Sequence, residues 1–228
     1  MQKIDFKKEL KHLYHPSAKE TAVVDVPAMN FLTILGEGDP NTAQWYKDAV
    51  SALYAVAYTL KFMVKKGELA IDYGVMPLEG LWWTEDMSQF STDDKSNWLW
   101  QAMILQPDFI TAAMVAEAKT QVEKKKGVTA VAQVNFARFA EGQAAQILYF
   151  GPYADEGPTI QKLHDFIWAT GGQLTGKHHE IYLSDPGRTA PEKLKTIIRQ
   201  PFLDPHPGPS PRRGRESDSL SLPGRGLG

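Results

Sequence analysis

The stretch GKHHEIYLSDP, residues 176 to 186, contains the side chains best suited to acid–base chemistry. If this stretch is a β-strand, alternate side chains point to opposite faces, so His178, Glu180 and Tyr182 share one face. A carboxyl group buried among aromatic side chains loses its hydration, and its pKa rises towards neutrality. The pattern therefore predicts Glu180 as a catalytic acid or base, with His178 and Tyr182 beside it as ligand-binding residues.

The other face of the same strand would carry His179, Ile181 and Leu183. We therefore expect one of the two histidines to face a ligand and the other to pack inside the protein. An alternative for Glu180 stays open from the sequence, because a partly exposed strand glutamate paired with a lysine or arginine would have the same neighbours.

Aromatic residues cluster earlier in the chain, where Trp82, Trp83, Trp98 and Trp100 account for four of the six tryptophans. Aromatic walls with a carboxylate suit flat, apolar or cationic ligands, through stacking and cation–π attraction. The predicted ligand-binding residues are Glu79, Trp83, Trp98, Trp100, Tyr149, His178 and Tyr182. The alternative is that the tryptophans belong to the core, which is their commoner position.

Other chemistries lack their residues. The chain has no cysteine, no G-x-S-x-G nucleophile motif and no glycine-rich phosphate loop. HHEIY resembles a zinc-protease motif only in part, since position 183 is leucine and the segment has a strand pattern. We therefore expect neither a metal nor a cofactor.

Composition limits the partners. The formal charge of −2 over 228 residues offers no basic surface for nucleic acid, and no apolar run is long enough to cross a membrane. The charged N-terminus does not resemble a signal peptide, so the expected location is the cytoplasm.

The elements that would position these residues alternate between strand and helix. Periodicity predicts helices over about 43–65, 108–126 and 158–169. It also predicts a bent or divided strand after Thr21 and strands around MPLEGLWW and NWLWQAMILQP. A hairpin is expected to turn at Glu141-Gly142, with HHEIYLSD as the closing strand. Residues 1–20 are predicted as an N-terminal arm and 203–228 as a disordered tail rich in Pro, Gly, Ser and Arg.

Two pairs of similar segments suggest an internal duplication, with repeats over about 21–107 and 128–202. Both FLTILGEGDPNT and AAQILYFGPYADEGPT run from an apolar strand through a glycine into a helix start. Both MPLEGLWW and KHHEIYLS follow a helix and carry one glutamate, Glu79 or Glu180. Chance similarity between segments of an α+β chain is the alternative.

MPLEGLWW, WLWQAMILQPDFIT, EGQAAQILYFGPYADEGPTI and GKHHEIYLSDP…TAPEKLKTIIRQP together resemble the gyrase-inhibitor-like (GyrI-like) small-molecule-binding domains, specifically their stand-alone branch. The resemblance covers about residues 1–202. It implies an α+β fold in which duplicated strand–helix–strand–strand modules form an antiparallel sheet, with helices on one face and a ligand groove on the other, so that 21–202 is one ligand-binding domain.

The resemblance also implies a function. Related domains bind cationic aromatic drugs beside a buried glutamate, and some stand-alone members hydrolyse DNA-alkylating cyclopropanoid compounds. Glu180 matches the acidic residue of that site, with Tyr182, Tyr149 and the tryptophans as walls. Gly187 precedes Arg188 where the family often has the arginine directly after Asp-Pro, so no role is transferred to Arg188.

Three functions therefore stand as hypotheses. The first is a cofactor-independent hydrolase in which Glu180 directs water against a strained ring. The second is a protein that binds or sequesters hydrophobic aromatic small molecules without changing them. The third, an inhibitor of a protein partner such as gyrase, has the least support, and no protein partner is expected.

Overall fold

The computed structural model describes residues 1–86, 94–125 and 127–205. Most of the tail predicted at 203–228 lies outside these residues, as does the middle of the loop between the two tryptophan-rich segments. The domain boundaries inferred from the sequence stay a prediction.

Five α-helices occur in the described part of the chain. They are α1 (Phe6–Glu9), α2 (Lys11–Tyr14), α3 (Gln44–Lys66), α4 (Ala112–Glu123) and α5 (Gly157–Ala169). In α3 the buried residues recur every three or four positions, as at Leu53, Val56 and Leu60, which gives one apolar stripe along the helix. The helix ends at Gly67, close to the predicted end.

Eleven strands occur in the same described ranges. They are β1 (Gln2–Ile4), β2 (Ala22–Val26), β3 (Met29–Glu37), β4 (Ile71–Tyr73), β5 (Leu78–Trp83), β6 (Leu99–Gln106), β7 (Asn135–Phe139), β8 (Gly142–Phe150), β9 (Gln173–Leu174), β10 (His178–Tyr182) and β11 (Lys195–Leu203). Strands β1 and β4 form a small parallel pair, which attaches the N-terminal arm to the domain.

The main sheet is antiparallel and has the order β2-β8-β11-β10-β5-β6-β3-β7, with β9 paired to β11. The predicted duplication of strand–helix–strand–strand modules is confirmed: β3-α3-β5-β6 forms the first module and β8-α5-β10-β11 the second. Each module contributes one of the two strands, β5 and β10, that pair at the centre of the sheet.

The outermost strands connect the modules in a way that the sequence pattern did not predict. Strand β7 pairs with β3 of the first module, whereas β8 pairs with β11 and with β2. The predicted hairpin at Glu141-Gly142 is therefore wrong: Gly142 takes a positive φ of 76°, but β7 and β8 diverge to opposite ends of the sheet. Strand β11, not β10, closes the fold.

Both long helices of the modules lie on the same face of the sheet, here called the helix face. Residues paired across an antiparallel sheet point to the same side, so Glu180 and its partner Ile198 share a face. Ile198 packs in a cluster with Leu163 and Ile167 of α5, and Tyr46 of α3 contacts the rings of Trp82 and Trp100 on that face.

The opposite side, here called the arm face, is covered by the N-terminal arm. Leu13 and Tyr14 of α2 are both buried. The carbonyl oxygen of Leu13 accepts a hydrogen bond from Arg199, and the Tyr14 hydroxyl donates one to Glu79. The groove was predicted on the face without helices, yet Glu180 lies on the helix face, where side chains from α3 and from the start of α5 meet over β10 and β5.

Candidate functional site

The site is built around Glu180, which lies in the middle of the central strand β10 and is buried. The Tyr182 hydroxyl donates to its Oε2 at 2.6 Å, and the His178 Nε2 lies 3.2 Å from its Oε1. The structure thus brings together the three residues that strand alternation places on one face. Each carboxylate oxygen of Glu180 faces a side chain two positions away on the same strand.

A second carboxyl group, Glu156, joins Glu180 from the residue directly before α5. It is buried and hydrogen-bonded to Glu180. Burial raises the pKa of Glu156 well above its ordinary value, and the negative charge of Glu180 raises it further. Two carboxylates in contact cannot both stay ionised without a cation. Glu156 therefore keeps its proton and donates a hydrogen bond to Glu180.

Glu180 keeps the negative charge of the pair. Burial opposes its ionisation, but hydrogen bonds from His178, Tyr182 and Glu156 outweigh that cost and lower the pKa of Glu180. The raised pKa that we expected at Glu180 therefore belongs to Glu156. Glu156 is not among the residues predicted from the sequence. Its one signal is its position as an acidic residue just before the Gly-Pro start of α5.

Aromatic side chains in contact with one another extend from the carboxyl pair, and we call this set the aromatic cluster. Its members are Tyr46, Trp82, Trp98, Trp100, Tyr153 and Tyr182. The ring centroids of Tyr46 lie 5.7 Å from Trp82 and 5.0 Å from Trp100. Those of Trp82 and Trp98 are 5.2 Å apart, and those of Tyr153 and Tyr182 are 5.4 Å apart.

Tyrosine hydroxyls extend the hydrogen bonding away from Glu180. The Tyr46 and Tyr182 hydroxyls are hydrogen-bonded to each other. Because Tyr182 uses its one proton towards Glu180, Tyr46 is the donor in that contact. Burial, followed by the charge of Glu180, raises the pKa of both tyrosines, so their hydroxyls stay protonated and act as donors.

The other predicted ligand-binding residues divide between the two faces. Trp98 and Trp100 belong to the aromatic cluster, but Trp83 is on the arm face, where the Lys177 Nζ lies 3.2 Å from its ring centroid. Its neighbour Trp82 takes the place beside Glu180. Tyr149 lies on the helix face, and its hydroxyl donates to the Pro152 carbonyl at 3.0 Å, so it supports the turn that leads to Glu156.

Gly80 makes room for Trp82. It is paired with Glu180 across the sheet. A Cβ atom on Gly80 would lie 2.7 Å from Nε1 and 2.8 Å from Cε2 of Trp82. The indole of Trp82 therefore lies over the one residue on β5 that faces Glu180 and has no side chain.

We expect Gly80→Ala to lower the free energy of unfolding by about 1–3 kcal/mol, because the buried indole must move to admit the methyl group. Gly74→Ala is the matched control: Gly74 is exposed and a Cβ there meets nothing within 4 Å. Chemical denaturation of both variants is the measurement. Equal stability of the two would contradict the close packing of Trp82 on Gly80.

Glu79 lies on the arm face, on the opposite side of the sheet from Glu180, so the prediction that it lines the same groove is wrong. Its register partner is Ile181, one residue away from Glu180. The Tyr14 hydroxyl donates to its Oε1 at 2.6 Å, and the His179 Nε2 lies 3.0 Å from its Oε2. The two glutamates are also not equivalent in the duplication, since related modules present equivalent residues to the same face.

His179 connects Glu79 to a larger buried network on the arm face. Its Nδ1 lies 2.9 Å from Glu141 Oε1, and Arg199 Nη1 lies 3.1 Å from Glu141 Oε2. Arg199 also donates to Gln146 Oε1 and to the carbonyl of Leu13. We call this set, with Glu79 and Tyr14, the arm network. The positive charges of the doubly protonated His179 imidazole and of the Arg199 guanidinium balance the two negative charges of Glu79 and Glu141.

The arm network makes stability depend on pH. Burial opposes protonation of His179, but the charges and hydrogen bonds of Glu141 and Glu79 outweigh it and raise the pKa of His179 to about 9. Because this value exceeds the usual value of about 6.5 in an unfolded chain, the resulting stabilisation is complete below about pH 6.5 and is lost as the pH rises through 9.

We expect the raised pKa of His179 to lower the free energy of unfolding by about 3 kcal/mol between pH 6.5 and 9. The raised pKa of Glu156 lowers it further over the same range, and denaturation across that range measures the total. His15→Gln is the control that keeps this slope, since His15 is exposed. Glu141→Gln is expected to reduce the slope, because it removes one of the two carboxylates that raise the pKa of His179. A flat profile in the parent protein would show that His179 is not charged in the fold.

The carboxyl pair also offers ligands for a cation. Within the described residues, one set of histidine and acidic side chains, Glu156, His178 and Glu180, places three ligand atoms within 4.8 Å of one another. Imidazole and carboxylate ligands suit several divalent metals. When Glu156 is neutral, a proton lies between the Glu156 and Glu180 carboxyl groups in place of a cation. The proposed reaction requires this proton and not a metal ion.

A surface cavity of about 690 Å³ lies next to the aromatic cluster. Trp98, Thr84 and Glu37 form part of its wall. Trp98 contacts both this cavity and Trp82, so aromatic rings connect the cavity with the surroundings of Glu180. Neither Glu156 nor Glu180 is among the described residues that form the wall of this cavity.

None of the helices in the described residues is long and apolar enough to span a membrane.

Fold and site together define a class: a small-molecule-binding domain of two fused strand–helix–strand–strand modules with a buried glutamate at their junction. Residues 19–202 match the family of GyrI-like small molecule binding domains, and the chain belongs to that family. No curated protein matches the chain significantly.

Solved structures agree with this assignment. An uncharacterized conserved protein from Listeria innocua is 42% identical, with a TM-score of 0.81 over 88% of this chain and 100% of that one. A protein described as a hydrolase, also from Listeria innocua, is 41% identical, with a TM-score of 0.76 over the same shares. The C-terminal domain of EcmrR is 14% identical, with a TM-score of 0.53 over 81% of this chain and 98% of that one, and shows the fold alone.

Proposed function

We propose that this protein binds flat aromatic small molecules among the rings of the aromatic cluster and hydrolyses cyclopropanoid electrophiles there. One observation carries the proposal: the carboxyl groups of Glu180 and Glu156 meet at a buried site beside aromatic rings. Their surroundings lower the pKa of Glu180 and raise that of Glu156, which favours an ionised Glu180 next to a neutral Glu156. The hydrolase from Listeria innocua, which is 41% identical, supports a hydrolytic reaction for this chain.

The chemistry follows from the charges. Stacking on the aromatic cluster removes the flat electrophile from bulk water. Glu180 accepts a proton from a water molecule whose oxygen bonds to a cyclopropane carbon. The strained C–C bond breaks, and its electron pair moves into the conjugated ring to give a phenolate, which takes up the proton that Glu180 releases.

Glu156 keeps this base in a usable state. Its proton reduces the charge of the buried pair to one, so that Glu180 stays ionised although it is surrounded by protein. His178 and Tyr182 fix the orientation of the Glu180 carboxylate through one hydrogen bond to each oxygen. Preorganisation of this kind reduces the cost of aligning a base with its water.

A second function, binding without turnover, has its own observation. Several donors already hold the Glu180 carboxylate, and its lowered pKa makes it a weaker base than a free glutamate. Such a carboxylate could serve as a fixed recognition charge for a cationic or dipolar ligand.

The deciding experiment is incubation of the protein with a cyclopropyl-indole electrophile, with ring-opened product followed by mass spectrometry. Many product molecules per protein molecule are expected, and none with the Glu180→Gln variant. Stoichiometric binding without product in either protein would reject the hydrolase and favour a sequestering domain.

A further inference from the structure

Trp82 has a buried hydrogen-bond donor that no described residue satisfies. The side chain is 2% exposed, and its indole Nε1 has no hydrogen-bond partner within the described part of the chain. Buried donors of native proteins nearly always have an acceptor, because leaving one unpaired is costly. An indole nitrogen can only donate, so the missing partner must be an acceptor.

The indole nitrogen of Trp82 lies next to the residue of β5 that faces Glu180. The Nε1 atom lies 2.7 Å from the position that a Cβ of Gly80 would occupy, and Gly80 is paired with Glu180. Side chains on paired positions stand about 5 Å apart across a sheet. The indole nitrogen of Trp82 therefore lies beside the strand position that is paired with Glu180.

Trp100 provides a comparison within the same cluster. Its Nε1 is also without a partner in the described residues, but its indole packs over Gly36 of β3. Strand β6, which carries Trp100, is separated from β10 by β5. Of these two indoles, that of Trp82 is the one next to the position paired with Glu180.

The geometry points to Trp82 Nε1–H as the donor that binds a carbonyl oxygen of the ligand. The preferred ligands are then neutral, flat aromatic ketones, with the ring lying between Trp82 and Glu180. This inference rests on the proposed function, and it names the chemical class of the ligand and one specificity-determining residue. In the ring-opening reaction the same N–H would meet the oxygen on which negative charge develops.

Two small probes of nearly identical shape test the inference. 1-Indanone carries a carbonyl group and indane does not. We expect the parent protein to bind 1-indanone about three to ten times more tightly than indane, as for one neutral hydrogen bond. Trp82→Phe should bind both equally, whereas the control variant Trp168→Phe should keep the preference, since Trp168 is half exposed and lies outside the aromatic cluster.

A second measurement follows the Trp82 indole N–H directly in the parent protein. In ¹H–¹⁵N spectra, the indole N–H signal of Trp82, assigned by its loss in Trp82→Phe, should move downfield with 1-indanone and not with indane. A ketone preference that survives in Trp82→Phe, an equal loss in Trp168→Phe, an unshifted signal, or no binding of either probe would overturn the assignment.

The outcomes also separate this inference from the proposed function. If Glu180→Gln abolishes turnover of the cyclopropyl-indole while Trp82→Phe keeps its ketone preference, the hydrolase stands and the Trp82 donor is rejected. If the ketone preference follows Trp82 and no turnover occurs, the protein is a binding domain with a carbonyl-specific site.

Discussion

Glu180→Gln is expected to reduce turnover of a cyclopropyl-indole electrophile by about 10²–10⁴-fold, the usual contribution of a positioned base. The amide has the shape of the carboxylate and can still accept from Tyr182, so the fold and the binding of the ligand should change little. It cannot take a proton from water. The loss should therefore appear in kcat, with little change in KM, when product is followed by mass spectrometry.

Glu156→Gln is the matched control for this result. Its amide can donate a hydrogen bond to Glu180 as the neutral carboxylic acid does, so the charge of the pair is preserved. We expect turnover within about tenfold of the parent, because only the exchangeable proton is removed. Parental activity in Glu180→Gln, or equal losses in both variants, would contradict the assignment of Glu180 as the base.

Arg199→Met is expected to lower the free energy of unfolding by about 3–5 kcal/mol, the largest stability effect that we predict. Methionine fills a similar volume but leaves the buried carboxylate of Glu141 with His179 as its remaining cationic partner. It also leaves the carbonyl of Leu13 and the amide oxygen of Gln146 without their donor. Chemical denaturation at pH 7 measures the change.

Arg188→Met is the matched control, since Arg188 pairs with Asp185 at 3.4 Å on the exposed surface. Such a pair contributes little, and the free energy of unfolding should not change measurably. The double variant Arg199→Met with Glu141→Gln should recover part of the loss, because the unpaired charge is gone. A loss below about 1 kcal/mol in Arg199→Met would show that the arm network is not needed for stability.

Local sequence predicted the helices and the modules well, because their signals are short-range. The apolar period of α3 and the glycine that ends it lie within one segment, and the repeated strand–helix starts lie within each module. Strand β11 was missed because Arg199 and Pro201 interrupt an apolar pattern, and both are accommodated only through tertiary contacts.

The errors at the site have one physical origin, which is that pairing between distant strands decides what a local pattern becomes. Glu79 and Glu180 have similar neighbours in the sequence, but a register offset of one residue sends them to opposite faces. Glu156 carries no strand pattern at all, and only the packing of α5 over β10 brings it to Glu180. The hairpin motif at Gly142 was likewise overruled by the pairing of β7 with β3.

The exchange of outer strands between the modules has a consequence for synthesis on the ribosome. Strand β2 has no partner until β8 emerges, more than a hundred residues later, and one edge each of β3 and β5 stays open until β7 and β10 arrive. A nascent chain that has reached only residue 107 thus exposes two bare sheet edges and its tryptophan-rich strands. Late translation is the vulnerable period for this protein, when chaperones are most needed to prevent aggregation.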